Sequence, residues 1–523
     1  MKKHPDEILV LDFGSQYSHL IVRRIRELGV YAELVPCDLP LDRLREVKGI
    51  ILSGGPQNLS EKSALRIDKG VFKMGIPILG ICYGLQLTAY ELGGKIKAAK
   101  TREYGPTVVS VKGKDLFTGL SKKQMTWMSH GDHVSRVPQG FKITASSSAC
   151  PVVAMADEKR KIYGLQFHPE VSHTTNGIKV LNNFLKITGA KRSWSMKDYL
   201  NGQINKVKQT IGKDKAVCAL SGGVDSAVAA AIVNRAIGKN LTCIYVDTGL
   251  MRKGETAEVI KAFKQSARMN LRVIDARGEF LRKLSGVIDP EKKRKIIGEL
   301  FIRIFEREAK KIYHSPPARG GVRGGGSQWL VQGTLYTDAI SSGVSVGKTA
   351  AVIKSHHNVG GLPEKFGFKL VEPLRELYKD EVRKIGKLLK LPDNIVYRQP
   401  FPGPGLAVRI IGEVTAEKLE ILKEADSILR EEIKKSGQDK KIQQYFAVLP
   451  GIRSVGVQGD SRTYGHPIIL RAVTTKDFMT AHWAQIPYEV LERISVRITN
   501  EVKDINRVVY DITSKPPGTV EWE

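Results

Sequence analysis

Residues 220–230 read LSGGVDSAVAA, and they continue the short apolar run KAVCAL at 215–220. An apolar run that meets adjacent glycines and opens into small residues predicts a strand, a tight turn and a helix. Such a turn exposes successive backbone N–H groups, and the helix start adds its positive end, so the stretch predicts a phosphate cradle. Around Gly222, Gly223 and Val224, the side chains of Ser221 and Ser226 add hydroxyl donors. Asp225 is an acid in the same turn. It would repel phosphate unless a cation lay between them, and Mg²⁺ is the natural bridge. The stretch lacks the Gly-Lys-Ser/Thr of the common nucleotide P-loop. The cradle therefore suits pyrophosphate with its metal. A glycine-rich connection without a ligand is the plainer reading, and the strand–loop–helix context argues against it.

Outward from this stretch, apolar strands alternate with helices. LTCIYVDTG (241–249) and LRVIDA (271–276) read as further strands, and Asp247 stands at a strand end where nucleotide sites form. Before it, from residue 7 to about 190, EILVLDFG, VKGIILSGGP, MGIPILGICYG and KIYGLQFHPE give the same alternation. KRSWSMKDYL (191–200) reads as a polar linker, and QPFPGPGLAVRI (399–410) as a second boundary. After it, HPIILRAV and RVVYDIT flank a helical stretch at 487–502. The expected architecture is α/β: two doubly wound parallel-sheet domains, 1–190 and 191–398, then a smaller α+β domain at 399–523.

Composition sets limits on function. The chain has 523 residues, a formal net charge of +29 and 41% hydrophobic residues. Such a charge attracts polyanions. A nucleic-acid binder, an enzyme of phosphorylated metabolites and a lysine-rich solvated surface all fit it. The basic residues are spread out, which favours the solvated surface over nucleic acid. Five scattered cysteines without a CxxC argue against a disulfide framework or a cysteine zinc site. No apolar stretch approaches the ~20 residues that span a bilayer, and MKKHPDEILVLDFGSQ lacks a signal-peptide core. A cytoplasmic setting without membrane contact is expected.

A second site lies in the first half. GICYG (80–84) sets Cys82 between glycines, after an apolar strand and before a helix. This is a nucleophile-elbow pattern, in which a tight turn holds the side chain up and the helix start favours thiolate. The Tyr83 N–H, with those of Gly54 and Gly55 in SGGP (53–56), suits an oxyanion. His168 and Glu170 in GLQFHPE stand two apart near a strand end, so they leave on the same side as base and orienting group. A lone buried cysteine would be a packing residue, but three matching pieces favour catalysis. In SHGDHV (129–134), His130 and His133 are three apart, yet no third metal ligand stands nearby in the sequence.

SGGP, GICYGLQL and GLQFHPE resemble the class I (triad) glutamine amidotransferase domain. The resemblance implies hydrolysis of glutamine through a thioester, with Cys82 as nucleophile, His168 as base and Glu170 as orienting carboxylate. It also puts a loop like SHGDHV at the border of the glutamine pocket. SGGVDS resembles the pyrophosphate loop of the N-type ATP pyrophosphatases, which adenylate a carbonyl oxygen and release pyrophosphate. With DPEKKRKIIG (289–298), IKSHHNVGGLPE (353–364), QPFPGPGLAVRI and SKPPGTVEWE (514–523), the likeness covers the chain and is similar to the glutamine-hydrolysing GMP synthetase family. This implies XMP + ATP + glutamine + water → GMP + AMP + pyrophosphate + glutamate, in guanine nucleotide biosynthesis. It implies Mg²⁺, a homodimer formed through 399–523, XMP contacts at Arg294, Gln444, Asp460, Lys515 and Glu521, and Lys354 in a lid over ATP.

Departures from the family pattern are local. Ala227 replaces a hydroxyl residue, Thr337 stands for a proline, and PPARGGVRGGG (316–326) looks inserted. Arg-Gly stretches can bind RNA, although a flexible surface loop is favoured here. GVSVGKT (343–349) imitates a Walker A loop but is one residue short between its glycines. The rival functions are an RNA binder, which leaves the triad unexplained, and a related amidotransferase serving NAD or tRNA.

Overall fold

The computed structural model describes residues 6–59, 61, 63–112, 114–266, 269–314, 328–336, 338, 368–475 and 480–523. Lys354, Thr337, the Arg-Gly stretch at 316–326 and the Walker-like GVSVGKT lie outside the described residues. Two compact units form, one running to Tyr199 and the other starting at Leu200.

The first unit is built on nine strands: β1 (Ile8–Asp12), β2 (Ala32–Pro36), β3 (Gly49–Leu52), β4 (Ile78–Ile81), β5 (Lys95–Val111), β6 (Lys123–Arg136), β7 (Lys142–Ser146), β8 (Ala154–Asp157) and β9 (Ile162–Leu165). Their order is β2-β1-β3-β4-β9-β8-β7-β5-β6. From β2 to β9 every pairing is parallel. These strands are the near-continuous apolar runs expected of a sheet covered on both faces, and β3, β4 and β9 are buried throughout. Beyond β9 the pairing turns antiparallel, ending in the long β5–β6 hairpin. Sequence alternation missed that extension, because polar Gln124, Thr126 and His130 take buried positions of KQMTWMSHGDHVSR along β6 while Met125 is exposed. Leu9, Leu11, Ile50, Leu52, Ile78 and Leu85 belong to its core.

The second unit carries a fully parallel sheet in the order β12-β11-β10-β13-β14. Its strands are β10 (Ala216–Leu220), β11 (Leu241–Asp247), β12 (Leu271–Asp275), β13 (Trp329–Val331) and β14 (Lys369–Val371). The same unit holds a smaller sheet of β15 (Gln444–Val448), β16 (Ser454–Gln458), β17 (Ser461–Thr474), β18 (His482–Trp483) and β19 (Ile505–Asp511). β17 is central to it, with β15, β16 and β18 antiparallel and β19 parallel. Helices Ala416–Lys435 and Tyr488–Glu501 pack together beside it. The α/β sheets with an α+β C-terminal region are those the alternation predicts. One apolar cluster runs from Val217 and Ile244 through Leu406 and Leu422 to Ile494, so both sheets of this unit share a core. No helix among the described residues is long and apolar enough to cross a membrane.

Candidate active sites

The elbow forms at the end of β4. Cys82 adopts φ +53° and caps the helix Tyr83–Glu91. A non-glycine residue rarely takes a positive φ, and such strain clusters at functional turns. The flanking glycines are required by close approach. A Cβ on Gly80 would lie 2.4 Å from the Gly84 carbonyl oxygen, and one on Gly84 would lie 2.3 Å from that of Leu52. The Cys82 N–H donates to Leu165 O of β9 at 2.7 Å, which ties the elbow to the strand leading to the histidine.

That strand delivers His168 and Glu170, both buried. His168 Nδ1 and Glu170 Oε1 are 2.7 Å apart, so the carboxylate fixes the ring and leaves Nε2 for the thiol. Thr174 Oγ1 donates to His168 O at 2.6 Å, and the His168 N–H donates to Trp127 O at 3.1 Å. Burial disfavours the imidazolium, but the Glu170 carboxylate and a hydrogen bond with Cys82 outweigh it, and the His168 pKa is raised well above the ordinary value. Gly54 lies against this ring: a Cβ there would be 3.2 Å from His168 Cε1. The N–H groups of Gly54 and Gly55 have no acceptor among the described residues. The Tyr83 N–H, first in its helix, lacks an intrahelical one. Ser129 of β6 closes the other side, its carbonyl 3.6 Å from Cys82 Sγ.

His130, beside it, points to a different neighbourhood. Burial lowers its pKa, opposed by Glu103, so the ring is neutral. Glu103, His130 and Cys150 are close enough together to share a cation.

In the second unit, β10 ends at Leu220 and the helix Val224–Ile237 begins four residues later. Gly222 makes the turn with φ +75°. The two hydroxyls meet, Ser221 Oγ and Ser226 Oγ at 3.1 Å, and Ser221 Oγ accepts the Gly223 N–H at 3.3 Å. Asp225 pairs through Oδ2 with Lys379, while its buried Oδ1 has no hydrogen-bond partner among the described residues. Arg398 donates to the Gly222 carbonyl and pairs with Glu255. Asp247 Oδ1 accepts the Gly249 N–H at 3.0 Å at the end of the neighbouring strand β11. The loop residues and Asp247 thus share the C-terminal edge of the parallel sheet, where open α/β sheets bind ligands.

The C-terminal tail is docked by its acids. Glu521 makes a bidentate pair with Arg409 at 3.0 and 2.8 Å and accepts from Gln444 Nε2 at 2.9 Å. Lys293 Nζ meets Glu523 Oε2 at 2.5 Å and donates to Ile410 O at 2.7 Å, and Arg294 donates to Glu523 O. Arg294, Gln444 and Glu521 therefore gather at the tail. Lys515 joins Ala481 through a two-way backbone bridge. Asp460 sits at the exposed tip of the β16–β17 hairpin and makes none of these contacts.

Comparison with known proteins follows the same division. Residues 9–188 match the family model of class-I glutamine amidotransferases, 195–314 that of NAD synthase, and 431–522 that of the GMP synthase C-terminal domain. The chain is 55% identical to a glutamine-hydrolyzing GMP synthase of Geobacillus kaustophilus, over 99% of each chain. It is 56% identical to that of Halothermothrix orenii over 99% of each, and 55% identical to that of Clostridium tetani over the whole of both.

The chain belongs to the glutamine-hydrolyzing GMP synthase family. Within this GMP synthase framework several groups escape sequence reading. Lys293 and Arg409 are both 0% exposed. Lys293 lies in EKKRK, which reads as a solvated helix face. Arg409 interrupts the apolar run GLAVRII (405–411), and a charge inside such a run demands a partner, which is the one signal that points to Glu521. Lys379 and Arg398 carry no motif at all.

Proposed function

We propose that the chain makes GMP from XMP, ATP and glutamine, with ammonia produced in the first unit and consumed in the second. The observation that carries this reading is His168 held by Glu170 at 2.7 Å, on the segment that follows the strand tied to the Cys82 elbow, in a chain that also holds the SGGVDS cradle. Cys82 Sγ attacks the carboxamide carbon of glutamine while its proton passes to His168. The amide N–H groups of Gly54, Gly55 and Tyr83 receive the oxyanion. Collapse expels ammonia, which takes the proton from His168, and leaves a thioester that water cleaves to glutamate.

In the second unit a purine carbonyl oxygen of XMP attacks the α-phosphate of ATP, and pyrophosphate leaves into the loop Ser221–Ser226. Ammonia then displaces AMP from the activated carbon. The orphaned Oδ1 of Asp225 fits an Mg²⁺ ligand, and the ion would neutralise the pyrophosphate beside it. Asp247 and Lys354 are assigned to ATP. Arg294, Gln444, Asp460, Lys515 and Glu521 are assigned to XMP, with support from the cationic, tail-lined setting of Arg294, Gln444 and Glu521.

The assignment of domains is 1–190, 191–398 and 399–523, with the last forming a homodimer. Exposed Val455, Val457 and Tyr464 on the β16–β17 hairpin support that interface. All five cysteines are free, in keeping with a cytoplasmic enzyme.

The test measures AMP and GMP from XMP, ATP and Mg²⁺, with glutamine and with ammonium chloride in parallel. GMP from both nitrogen sources, with one AMP for each GMP, is the expected result. Absence of GMP from both sources would overturn the reading.

A further inference from the structure

His130 is 5% exposed, and neither ring nitrogen makes a hydrogen bond among the described residues. Its Nε2 lies 3.1 Å from Glu103 Oε2, a close ion-pair contact without hydrogen-bond geometry, so that oxygen also lacks a donor among the described residues. A buried polar group left unpaired loses its hydration without recompense, and each one in a native protein calls for an explanation such as an ion. Two orphaned atoms that face each other share one cause.

The surroundings are constructed from three separate parts of the first unit. Glu103 on β5 stands directly opposite His130 on β6 in the antiparallel ladder, so their side chains share a face. Cys150 arrives from the turn after β7. That turn is held by the Ser147 N–H donating to Cys150 O at 2.8 Å and by the Cys150 N–H donating to Ser147 Oγ at 2.9 Å. Ser147 Oγ also reaches Glu103 Oε1 at 3.4 Å. One donor atom each from Glu103, His130 and Cys150 lie within 4.8 Å of one another. Cys150 is 1% exposed, and its thiol reaches Val152 O at 3.4 Å.

We propose that Glu103, His130 and Cys150 form a binding site for a divalent transition-metal cation of the Zn²⁺ class. Carboxylate, imidazole and thiolate are together the donor set of such an ion, which a water completes to four-coordination. Neighbouring donors in a tetrahedral shell sit about 3.3–3.8 Å apart, so the side chains need close by only ~1 Å. Charge balances too. A dication with one thiolate and one carboxylate is neutral, which suits a buried position. Binding forms the metal–sulfur bond and releases the Cys150 thiol proton to solvent, with no redox change. The ion would clip the β5–β6 hairpin onto the 147–150 turn. It would thereby fix the strand whose Ser129 carbonyl faces Cys82 Sγ.

The full chain is stripped with a chelator and titrated with Co²⁺ as a spectroscopic probe, and Zn²⁺ is then added as competitor. Cys82 and His168 offer a second thiol–imidazole pair, so the titration is repeated with Cys82→Ala. The expected result is one Co²⁺ per chain with a near-ultraviolet thiolate charge-transfer band. The band persists in Cys82→Ala, disappears in Cys150→Ser and is displaced by Zn²⁺. Glu103→Gln should weaken binding about ten-fold or more. If no band appears, if it survives Cys150→Ser, or if it vanishes in Cys82→Ala, the site is wrong. Should Cys150→Ser fail to fold, Glu103→Gln decides the matter, and unchanged affinity there overturns the proposal.

Discussion

The thiol site and the pyrophosphate loop are both turns between a parallel strand and a helix, but they are prepared in opposite ways. At the thiol, the histidine already has the carboxylate it uses in the reaction, and nothing has to be displaced from it. Glu170 holds His168, His168 meets Cys82, and the amides of Gly54 and Gly55 stand open. At the loop, the groups are engaged with substitutes. Lys379 neutralises Asp225, Arg398 holds the Gly222 carbonyl, and the two serines bond each other. A neutral amide substrate enters a site that need not rearrange. A nucleotide with its metal must exchange these ion pairs for its own, so binding energy there is spent on reorganisation.

The comparison can be broken most sharply at its two ends. Cys82→Ala should cut glutamine-dependent GMP formation on the order of 10⁴-fold or more while sparing the ammonium-dependent reaction. Equal losses with both nitrogen sources would mean that the thiol site is not self-contained. Asp225→Asn should do the reverse. AMP formation is expected to fall on the order of 10²-fold, the scale of one lost charge-stabilising contact, with glutaminase turnover in Cys82-intact protein retained. Next in size is Glu521→Gln, which leaves the fully buried Arg409 without its counter-ion. Such a break costs about 3–5 kcal/mol, and denaturant unfolding of the second unit should register it while the first unit is unchanged.

The smallest effect sharpens the account of the histidine. Because the folded pKa of His168 is raised, its contribution to stability is complete below the unfolded value near 6.5 and declines as pH rises through the folded value. Glu170→Gln removes the main group that raises it. Thermal melts should then lose that decline above pH 6.5, and an unchanged pH slope would mean that Glu170 does not set the histidine's proton affinity.

How far the sequence reveals these sites depends on how local their parts are. The elbow is contiguous in GICYG, and His168 and Glu170 are two apart, so strand period and turn chemistry suffice. The SGGVDS loop is equally compact. The tail's partners are 112 and 230 residues from its acids in the chain, and only folding brings Arg409 and Lys293 to them. EKKRK looks like any solvated helix face until Lys293 proves buried. The β5–β6 hairpin evaded reading because polar Gln124, Thr126 and His130 take its buried positions and its ladder slips between Ala98 and Glu103. That same hairpin carries Glu103 to His130, so the partners that seemed missing from SHGDHV were never near it in sequence.

The docking of Glu521 and Glu523 also orders events in time. These residues emerge from the ribosome 112 and 230 residues after Arg409 and Lys293, the buried cations of the second unit that they neutralise. Domains released early in synthesis can fold while the rest is made, and among the described residues the first unit has the partners of ion pairs such as Glu91 with Arg66 and Glu170 with His168 in hand when residue 199 emerges. The second does not. Two of its interior cations, Arg409 and Lys293, wait for residues 521–523, so completion of that unit is coupled to synthesis of that distant stretch. A chain cut before residue 521 would have a sound glutaminase half and an unneutralised core in the other.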